Sequence, residues 1–283
     1  MVPSPPKGLI ERILVALDAS AHSRAALEAA VRLAARIDAE LAGLFVEDEV
    51  LIRMADLPFT RAVRRFPAVA EPSSGLDMER QLEAQARRAE RLLRRLAGEA
   101  GIAWSFRVVR GDVKAKLLAA SQEADLITLG RLGHSAHFLP RLGSIARAVL
   151  LEASCPVLML HHGVRLHPSI VVLYDATEAA DRALHLAAQI AQRAELQALT
   201  ILFEARDARA EPATRERIAQ GLRPYSVTAT LRPSHRFSFI QMASLFPKGR
   251  DGLLIVPRSL LGDHQGRLER LLTMMHCPVL LVR

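Results

Sequence analysis

The sequence contains few aromatic residues and few cysteines. Aromatic residues account for 4% of the 283 positions, with one tryptophan and two tyrosines, so it offers few of the stacking platforms that single-strand nucleic-acid binders use. Its two cysteines, Cys155 and Cys277, each precede Pro-Val in an apolar context. We therefore expect buried, unpaired thiols rather than a disulfide or a metal ligand.

The sequence also lacks long hydrophobic runs. No apolar stretch approaches the roughly 18 to 20 residues that a membrane-spanning helix needs. The opening residues, MVPSPPKGLIERILVALD, contain no apolar region of the signal-peptide type. Half of the residues are hydrophobic, which is enough for a sizeable core in one large domain or two small ones. These features predict a soluble, cytoplasmic protein with no membrane span.

The positive charge is dispersed along the chain. The net charge is +8, and clustered lysine and arginine would attract anionic partners such as nucleic acid. The densest stretch, residues 80–95, instead mixes arginine with glutamate around an apolar stripe at helical spacing, formed by Leu82, Ala86, Ala89, Leu93 and Leu96. This pattern is typical of a solvated helix face, and we predict no nucleic-acid partner.

An internal repeat divides the chain. The segment RILVALDAS at residues 12–20 is echoed by SIVVLYDAT at residues 169–177, and both are apolar strands that end in aspartate. A hydroxyl residue, Ser20 or Thr177, then offers an N-cap for a following helix. Each copy closes on Cys-Pro-Val-Leu. The repeat predicts two units, at residues 9–161 and 168–283, joined by a linker at residues 161–168.

Within each copy, expected strands alternate with expected helices. In the first copy, strands near residues 103–109 and 125–130 flank a helix that starts at Asp112, and Ser144 opens the last helix. Such alternation predicts an α/β fold with a parallel sheet covered by helices on both faces. The long connection at residues 47–77 is expected to form a lid, a partner-docking element or a short helix packed on the body.

A glycine-rich segment follows the expected fourth strand of the first copy. Gly130, Gly133 and Gly143 precede Ser144 at the start of a helix. Glycine lets the backbone approach a ligand closely, and a helix N-terminus offers free N–H groups and a positive dipole end. These are the requirements of a phosphate cradle, although an ordinary strand-to-helix turn would also fit. The spacing matches neither a Walker A loop nor a G-x-G-x-x-G turn.

The spacing G-x2-G-x9-G-S resembles the signature of ATP-binding universal stress proteins. Its context resembles the family too, with ILVALDAS at the front, Phe45-Val46-Glu-Asp after the second strand, Arg110-Gly-Asp before a helix and Cys-Pro-Val-Leu at the end. The resemblance is strong over residues 9–160 and weak over residues 168–283. It implies two tandem Rossmann-like domains, each with a five-stranded parallel sheet of order 3-2-1-4-5 and helices on both faces.

The resemblance also implies a nucleotide site. Eight positions match the family's contact residues: Asp18, Val46, Leu129, Gly130, Gly133, Gly143, Ser144 and Ile145. The first two would contact the adenosine end, the third would line the pocket, and the other five would face the phosphates. The implied ligand is ATP, ADP or AMP, with or without magnesium. An aspartate at position 18 can alternatively cap the turn that follows it.

The second copy departs from this pattern. Pro257 stands where the first glycine is expected, and only Gly262 and Gly266 follow, at altered spacing. Proline has no N–H donor and a fixed φ, so this strand end cannot wrap a phosphate in the same way. We expect this half to be a structural or dimerising partner, or a site for another ligand.

These features predict an adenine-nucleotide-binding regulator of the stress response that acts as a binding module. A slow ATPase and a nucleotide-independent scaffold are the alternatives. Hydrolysis needs a general base and usually a carboxylate that holds a metal. The loop contributes no acidic residue beside Asp18 for either role, which disfavours hydrolysis. The resemblance also implies that the closing strands, at residues 157–160 and 279–282, pair antiparallel. Such pairing gives either an association within the chain or a homodimer, and a protein partner is expected in addition.

Overall fold

The computed structural model describes most of the chain. The described residues are 10–18, 20–57, 61–63, 70–72, 74–130, 143–160, 169–195, 198–205, 211–235, 237–238, 242, 246, 252–262, 265–275 and 277–283. The expected linker at residues 161–168 and the glycine loop between residues 131 and 142, which includes Gly133, lie outside them.

The first half alternates strands and helices. In chain order its elements are β1 (Arg12–Leu17), α1 (Ala21–Ile37), β2 (Glu40–Asp48), α2 (Glu49–Ala55), β3 (Arg61–Val63), β4 (Ala70–Pro72), α3 (Gly75–Ala100), β5 (Trp104–Gly111), α4 (Val113–Ala120), β6 (Leu126–Gly130), α5 (Ser144–Glu152) and β7 (Val157–Leu160).

The second half repeats this alternation in a shorter form. Its elements are β8 (Ser169–Tyr174), α6 (Glu178–Arg193), β9 (Ala198–Glu204), α7 (Glu211–Leu222), β10 (Ala229–Ser234), β11 (Leu253–Pro257), a 3-10 turn (Arg258–Leu260), α8 (Gln265–Met274) and β12 (Val279–Val282). The expected hydroxyl caps are present. The Oγ of Ser20 accepts from the N–H of Ser23 at 3.1 Å, and the Oγ1 of Thr177 accepts from the N–H of Ala180 at 3.2 Å.

Ten strands form one sheet in the order β10-β9-β8-β11-β12-β7-β6-β1-β2-β5. All neighbours are parallel except β12 and β7, which are antiparallel. The α/β class with a mainly parallel sheet is therefore confirmed. The two expected sets of five strands are joined by the closing strands into this one sheet.

The closing strands pair as expected, and they do so within the chain. Leu280 lies opposite Leu158, and Val279 lies opposite Met159. Each of these strands is the outermost of its own set of five, so pairing removes an exposed edge from both sets. The exposed edges of the joined sheet are β5 and β10.

Helices cover both faces of the sheet because strand side chains alternate between them. Ile13 and Val15 of β1 belong to the core under α1, α3, α6 and α7, whereas Leu14 belongs to the core under α4, α5 and α8. Both cysteines are buried and neither forms a disulfide, as expected. Burial raises the pKa of the Cys155 thiol to about 11.

Helix α3 confirms the expectation of a solvated face. Leu82, Ala86, Ala89 and Leu93 are buried, while the opposite face carries ion pairs such as Arg87–Glu83 and Arg94–Glu90. In the part of the chain that the structure describes, no helix has an apolar stretch long enough to cross a bilayer.

The connection between β2 and α3 is partly ordered. Helix α2 packs against α3, and β3 and β4 pair as a short antiparallel hairpin. Asp48 caps α2 by accepting from the N–H of Val50 at 2.9 Å. Asp56, at the other end of α2, accepts from the N–H of Gly75 at 2.6 Å. Of the three expectations for residues 47–77, a short helix packed on the body is the one that α2 matches.

Candidate functional site

A cleft of about 370 Å³ lies at the carboxyl edge of the first half of the sheet. Strand β1 lies between β2 and β6, so the order of strands along the chain reverses around it. Open α/β sheets bind ligands where this reversal separates the crossing loops. The volume falls in the range of roughly 300–1,000 Å³ found for small-molecule sites.

Seven of the eight predicted site residues line this one cleft. They are Asp18 at the end of β1, Val46 in β2, Leu129 and Gly130 at the end of β6, and Gly143, Ser144 and Ile145 at the start of α5. Because parallel strands end at the same edge, residues more than 100 positions apart in the sequence meet there. The eighth residue, Gly133, lies outside the described residues.

Helix α5 begins at the cleft, and its N-cap residue has no side chain that could cap the helix. Its N-cap is Gly143, and Arg147 N–H donates to the carbonyl of Gly143 at 2.9 Å. The N–H groups of Ser144, Ile145 and Ala146 belong to the first turn, where an α-helix supplies no internal acceptor. The positive end of the helix dipole lies at the same place. This helix terminus can therefore accept an anionic group.

Gly143 has ordinary backbone angles, with φ −60° and ψ 149°. These angles lie outside the left-handed region that favours glycine. Its chain neighbours aside, a Cβ added here would meet no atom of the described residues within 4 Å. Neither the backbone nor the packing demands glycine, and the absent side chain leaves open the space beside the N–H groups of α5.

The carboxylate of Asp18 both lines the cleft and orders the turn into α1. Its Oδ1 accepts from the N–H of Ser20 at 3.0 Å. The turn-capping alternative is thus present in the structure. It leaves Asp18 at the cleft, where its charge faces any ligand.

The cleft spans both faces of the sheet edge. On one side its apolar wall consists of Ala16, Leu44, Val46, Val113, Leu117 and Leu129, which belong to the core under α4 and α5 or pack against it. On the other side Leu17, Phe45 and Leu82 belong to the core under α1 and α3. A flat apolar group can be buried between such walls, as in most small-molecule sites.

Among the polar side chains of the cleft that sequence reasoning did not assign to the site are Asp48 and Gln85. Asp48 lies two residues beyond Val46, so the period of a strand places both on one face. Gln85 lies three residues after Leu82 on α3, which places it on the same stripe of the helix. A polar residue next to an apolar helix stripe was the available signal for Gln85.

The corresponding strand ends of the second half are joined by hydrogen bonds. Asp175 accepts from Thr177 Oγ1 at 2.6 Å through one carboxylate oxygen and from Ser259 Oγ at 2.7 Å through the other. Ser259 lies in the 3-10 turn that directly follows Pro257. In the second half, the side chains of Asp175, Thr177 and Ser259 therefore bond to one another at the edge that corresponds to the cleft of the first half.

A second cleft, of about 510 Å³, lies where the two halves meet. It is bordered by Asp125, Ser154 and Cys155 from the first half and by Arg182 and His185 from α6. None of the predicted site residues lines it. The smaller cleft is the better candidate site because it lies at the topological switch point and has a helix N-terminus in its wall.

The fold and the smaller cleft define an α/β protein with a small-ligand site at the reversal of a parallel sheet. The model of the universal stress protein family matches residues 10–161, more than half of the chain. The chain therefore belongs to the universal stress protein family.

Relatives support this placement. Universal stress protein MJ0531 of Methanocaldococcus jannaschii is 25% identical over 156 residues, which cover 54% of this chain and 84% of that protein. A universal stress protein of Archaeoglobus fulgidus has the same fold, with a TM-score of 0.69 and 18% identity over 95% of this chain and 97% of that chain. A structure from Pseudomonas aeruginosa UCBPP-PA14 has a TM-score of 0.56 at 17% identity and covers 96% of this chain and 92% of that chain.

Proposed function

We propose that this chain is an adenine-nucleotide-binding module of the universal stress protein type, and that its ligand changes its association with a protein partner. The observation that carries the proposal is the start of α5. The helix has Gly143, which has no side chain, as its N-cap, and its N-terminus borders a cleft whose remaining walls are largely apolar. A nucleotide has the matching chemistry, with an anionic end and a flat base.

The proposed residues divide by what they offer a nucleotide. Gly130, Gly133, Gly143, Ser144 and Ile145 are assigned to the phosphates. The N–H groups at the start of α5 would donate to phosphate oxygens, as at other helix N-termini that bind anions. Asp18 and Val46 are assigned to the adenosine end, with Leu129 as an apolar wall. The ligand is ATP, ADP or AMP, with or without magnesium.

The proposal is for binding rather than catalysis. The cleft holds two described carboxylates, Asp18 and Asp48. Asp48 caps α2, so it lies with β2 at the end of the cleft away from α5. Hydrolysis requires a base or a metal-holding carboxylate beside the phosphates, and Asp48 is not placed for that role.

We further propose that residues 9–161 and 168–283 are tandem domains and that the second is a degenerate copy that binds no nucleotide. The supporting observation is the network of Asp175, Thr177 and Ser259, which joins the strand ends that border the cleft in the first half.

The test is direct. The purified full chain is denatured and its released small molecules are identified by mass spectrometry, and the ligand-free chain is then titrated calorimetrically with ATP, ADP and AMP. We expect a co-purified adenine nucleotide or a dissociation constant at or below the millimolar range. A chain that carries no nucleotide and binds none of the three at several millimolar would contradict the proposal and leave the scaffold alternative.

A further inference from the structure

The order of strands gives the cleft two distinct ends. Along the carboxyl edge the sequence of strands is β5-β2-β1-β6-β7. Helix α5 follows β6, so the helix N-terminus lies on the β6 side. Helix α3 packs on β2 and β5, and α2 packs on α3. A nucleotide with its phosphates at α5 therefore has its base at the end formed by β2, α2, α3 and α4.

Gln85 is the polar side chain that α3 contributes to this base end. It is half-buried and lines the cleft one turn after the buried Leu82. Three other polar side chains of the cleft already make hydrogen bonds within the protein. Ser20 caps α1, Ser23 donates to the carbonyl of Ser20, and Asp48 caps α2. Within the described part of the chain, the amide of Gln85 takes part in no hydrogen bond.

We propose that Gln85 determines the base specificity of the site and selects adenine over guanine. This inference rests on the proposed nucleotide binding. A glutamine amide has one acceptor oxygen and an NH₂ donor side by side. Adenine presents an amino donor at N6 beside an acceptor at N7, so both bonds can form together. Guanine presents two acceptors, O6 and N7, at the same edge, so one of the two bonds is lost.

The experiment measures base preference in the full chain with and without this amide. ATP and GTP are titrated calorimetrically into the unchanged protein and into the Gln85→Ala variant. Alanine is the best helix former, so α3 should persist, and circular dichroism with a thermal melt verifies it. We expect the ratio of the two affinities, ATP over GTP, to fall by roughly tenfold in the variant.

Two further measurements locate the contact. Gln81→Ala removes an exposed amide one turn earlier on α3, and it should retain the base preference of the unchanged chain. The analogue 7-deaza-ATP lacks the N7 acceptor. We expect it to bind the unchanged chain roughly tenfold more weakly than ATP, whereas the Gln85→Ala variant should bind both ligands equally.

The outcomes distinguish a failure of the Gln85 assignment from a failure of the proposed nucleotide binding. If the unchanged chain binds ATP but Gln85→Ala keeps its preference over GTP, Gln85 is not the specificity residue and nucleotide binding stands. Equal affinity of the unchanged chain for ATP and 7-deaza-ATP would overturn the assigned edge contact. If the unchanged chain binds neither ATP nor GTP, the proposed function and this inference both fail.

Discussion

At the scale of single residues, Gly143 combines tolerance of a side chain with a position at the proposed phosphate end. Its φ of −60° suits any residue, and an added Cβ meets no atom within 4 Å in the part of the chain that the structure describes, its chain neighbours aside. A substitution here should leave the fold intact. Loss of ligand binding would then report on the cleft rather than on stability.

We expect Gly143→Val to weaken ATP binding by at least a hundredfold. The branched side chain would occupy the space beside the N–H groups of Ser144 and Ile145. Losing two hydrogen bonds to a charged group, at about 1.5–3 kcal/mol each, is enough for this effect. Isothermal titration calorimetry measures the change.

Gly266 provides the matched control. It lies in the first turn of α8, and an added Cβ there also meets no atom within 4 Å. Gly266→Val should bind ATP as the unchanged chain does. Unchanged affinity in a folded Gly143→Val protein would show that the phosphate assignment is wrong.

His185 makes a separate prediction about pH. Burial lowers the pKa of His185 below its ordinary value of 6.5, opposed by the nearby charge of Asp181. Its ring also contacts that of Tyr225, and its buried Nδ1 has no hydrogen-bond partner among the described residues. Below about pH 6.5 the unfolded chain therefore binds more protons at this residue than the folded chain, so its contribution to stability falls as pH falls.

Urea unfolding of the unchanged chain and of His185→Gln, at pH 7.5 and pH 5.5, tests the direction of this pH dependence. The free energy of unfolding should drop more between the two pH values in the unchanged chain, because the variant cannot take up the proton. An equal drop in both proteins would mean that burial does not depress the pKa of His185.

At the scale of elements, the pairing of β7 with β12 is the contact that joins the two halves of the sheet. Leu158 and Leu280 are cross-strand partners, both are almost fully buried, and both belong to the same core. Opposed side chains on one face of an antiparallel pair contact each other directly. The two leucines should therefore contribute to stability jointly.

A double-mutant cycle with Leu158→Ala and Leu280→Ala measures this. Each single change should cost about 2–5 kcal/mol, and the pair should depart from additivity by about 0.5 kcal/mol or more. Leu93→Ala serves as the distant control, because Leu93 lies on α3 against β2, three strands from β7. Leu93→Ala combined with Leu158→Ala should be additive. If Leu158→Ala and Leu280→Ala were additive as well, β7 and β12 would not pack as described.

At the scale of the whole molecule, the two strand edges differ in what fills them. In the first half the described residues of this edge border the cleft. In the second half Asp175, Thr177 and Ser259 bond to one another across it. Pro257 ends β11 at the position where β6 ends in Gly130, and a proline has no N–H to donate.

We therefore predict one nucleotide per chain. Calorimetric titration of the full chain with ATP should give a stoichiometry near one. Gly143→Val should remove the binding, and Ser259→Ala should retain it, because we assign the phosphate contacts to the first half. A stoichiometry of two, or a site that survives Gly143→Val and disappears with Ser259→Ala, would reverse the assignment of the two halves.

Much of the fold was predictable because its signals are local. The strand-then-helix alternation, the caps at Ser20 and Thr177 and the apolar stripe of α3 all depend on residues within a turn or two of each other. The parallel arrangement followed from that alternation. The joining of ten strands was not predictable from composition or periodicity, because it depends on two apolar edges 120 residues apart meeting in one register.

The site divides in the same way. The sequence by itself determined which residues can form a phosphate cradle, because the glycines, the hydroxyl and the helix start lie within 15 positions of one another. Only the tertiary structure placed Asp18, Val46 and Gly143 around one cleft and added Asp48 and Gln85 to its wall. It also showed that Ser259 occupies the matching edge of the second half. Side chains from distant elements meet through the stacking of strands and helices, and no local pattern encodes which of them will be neighbours.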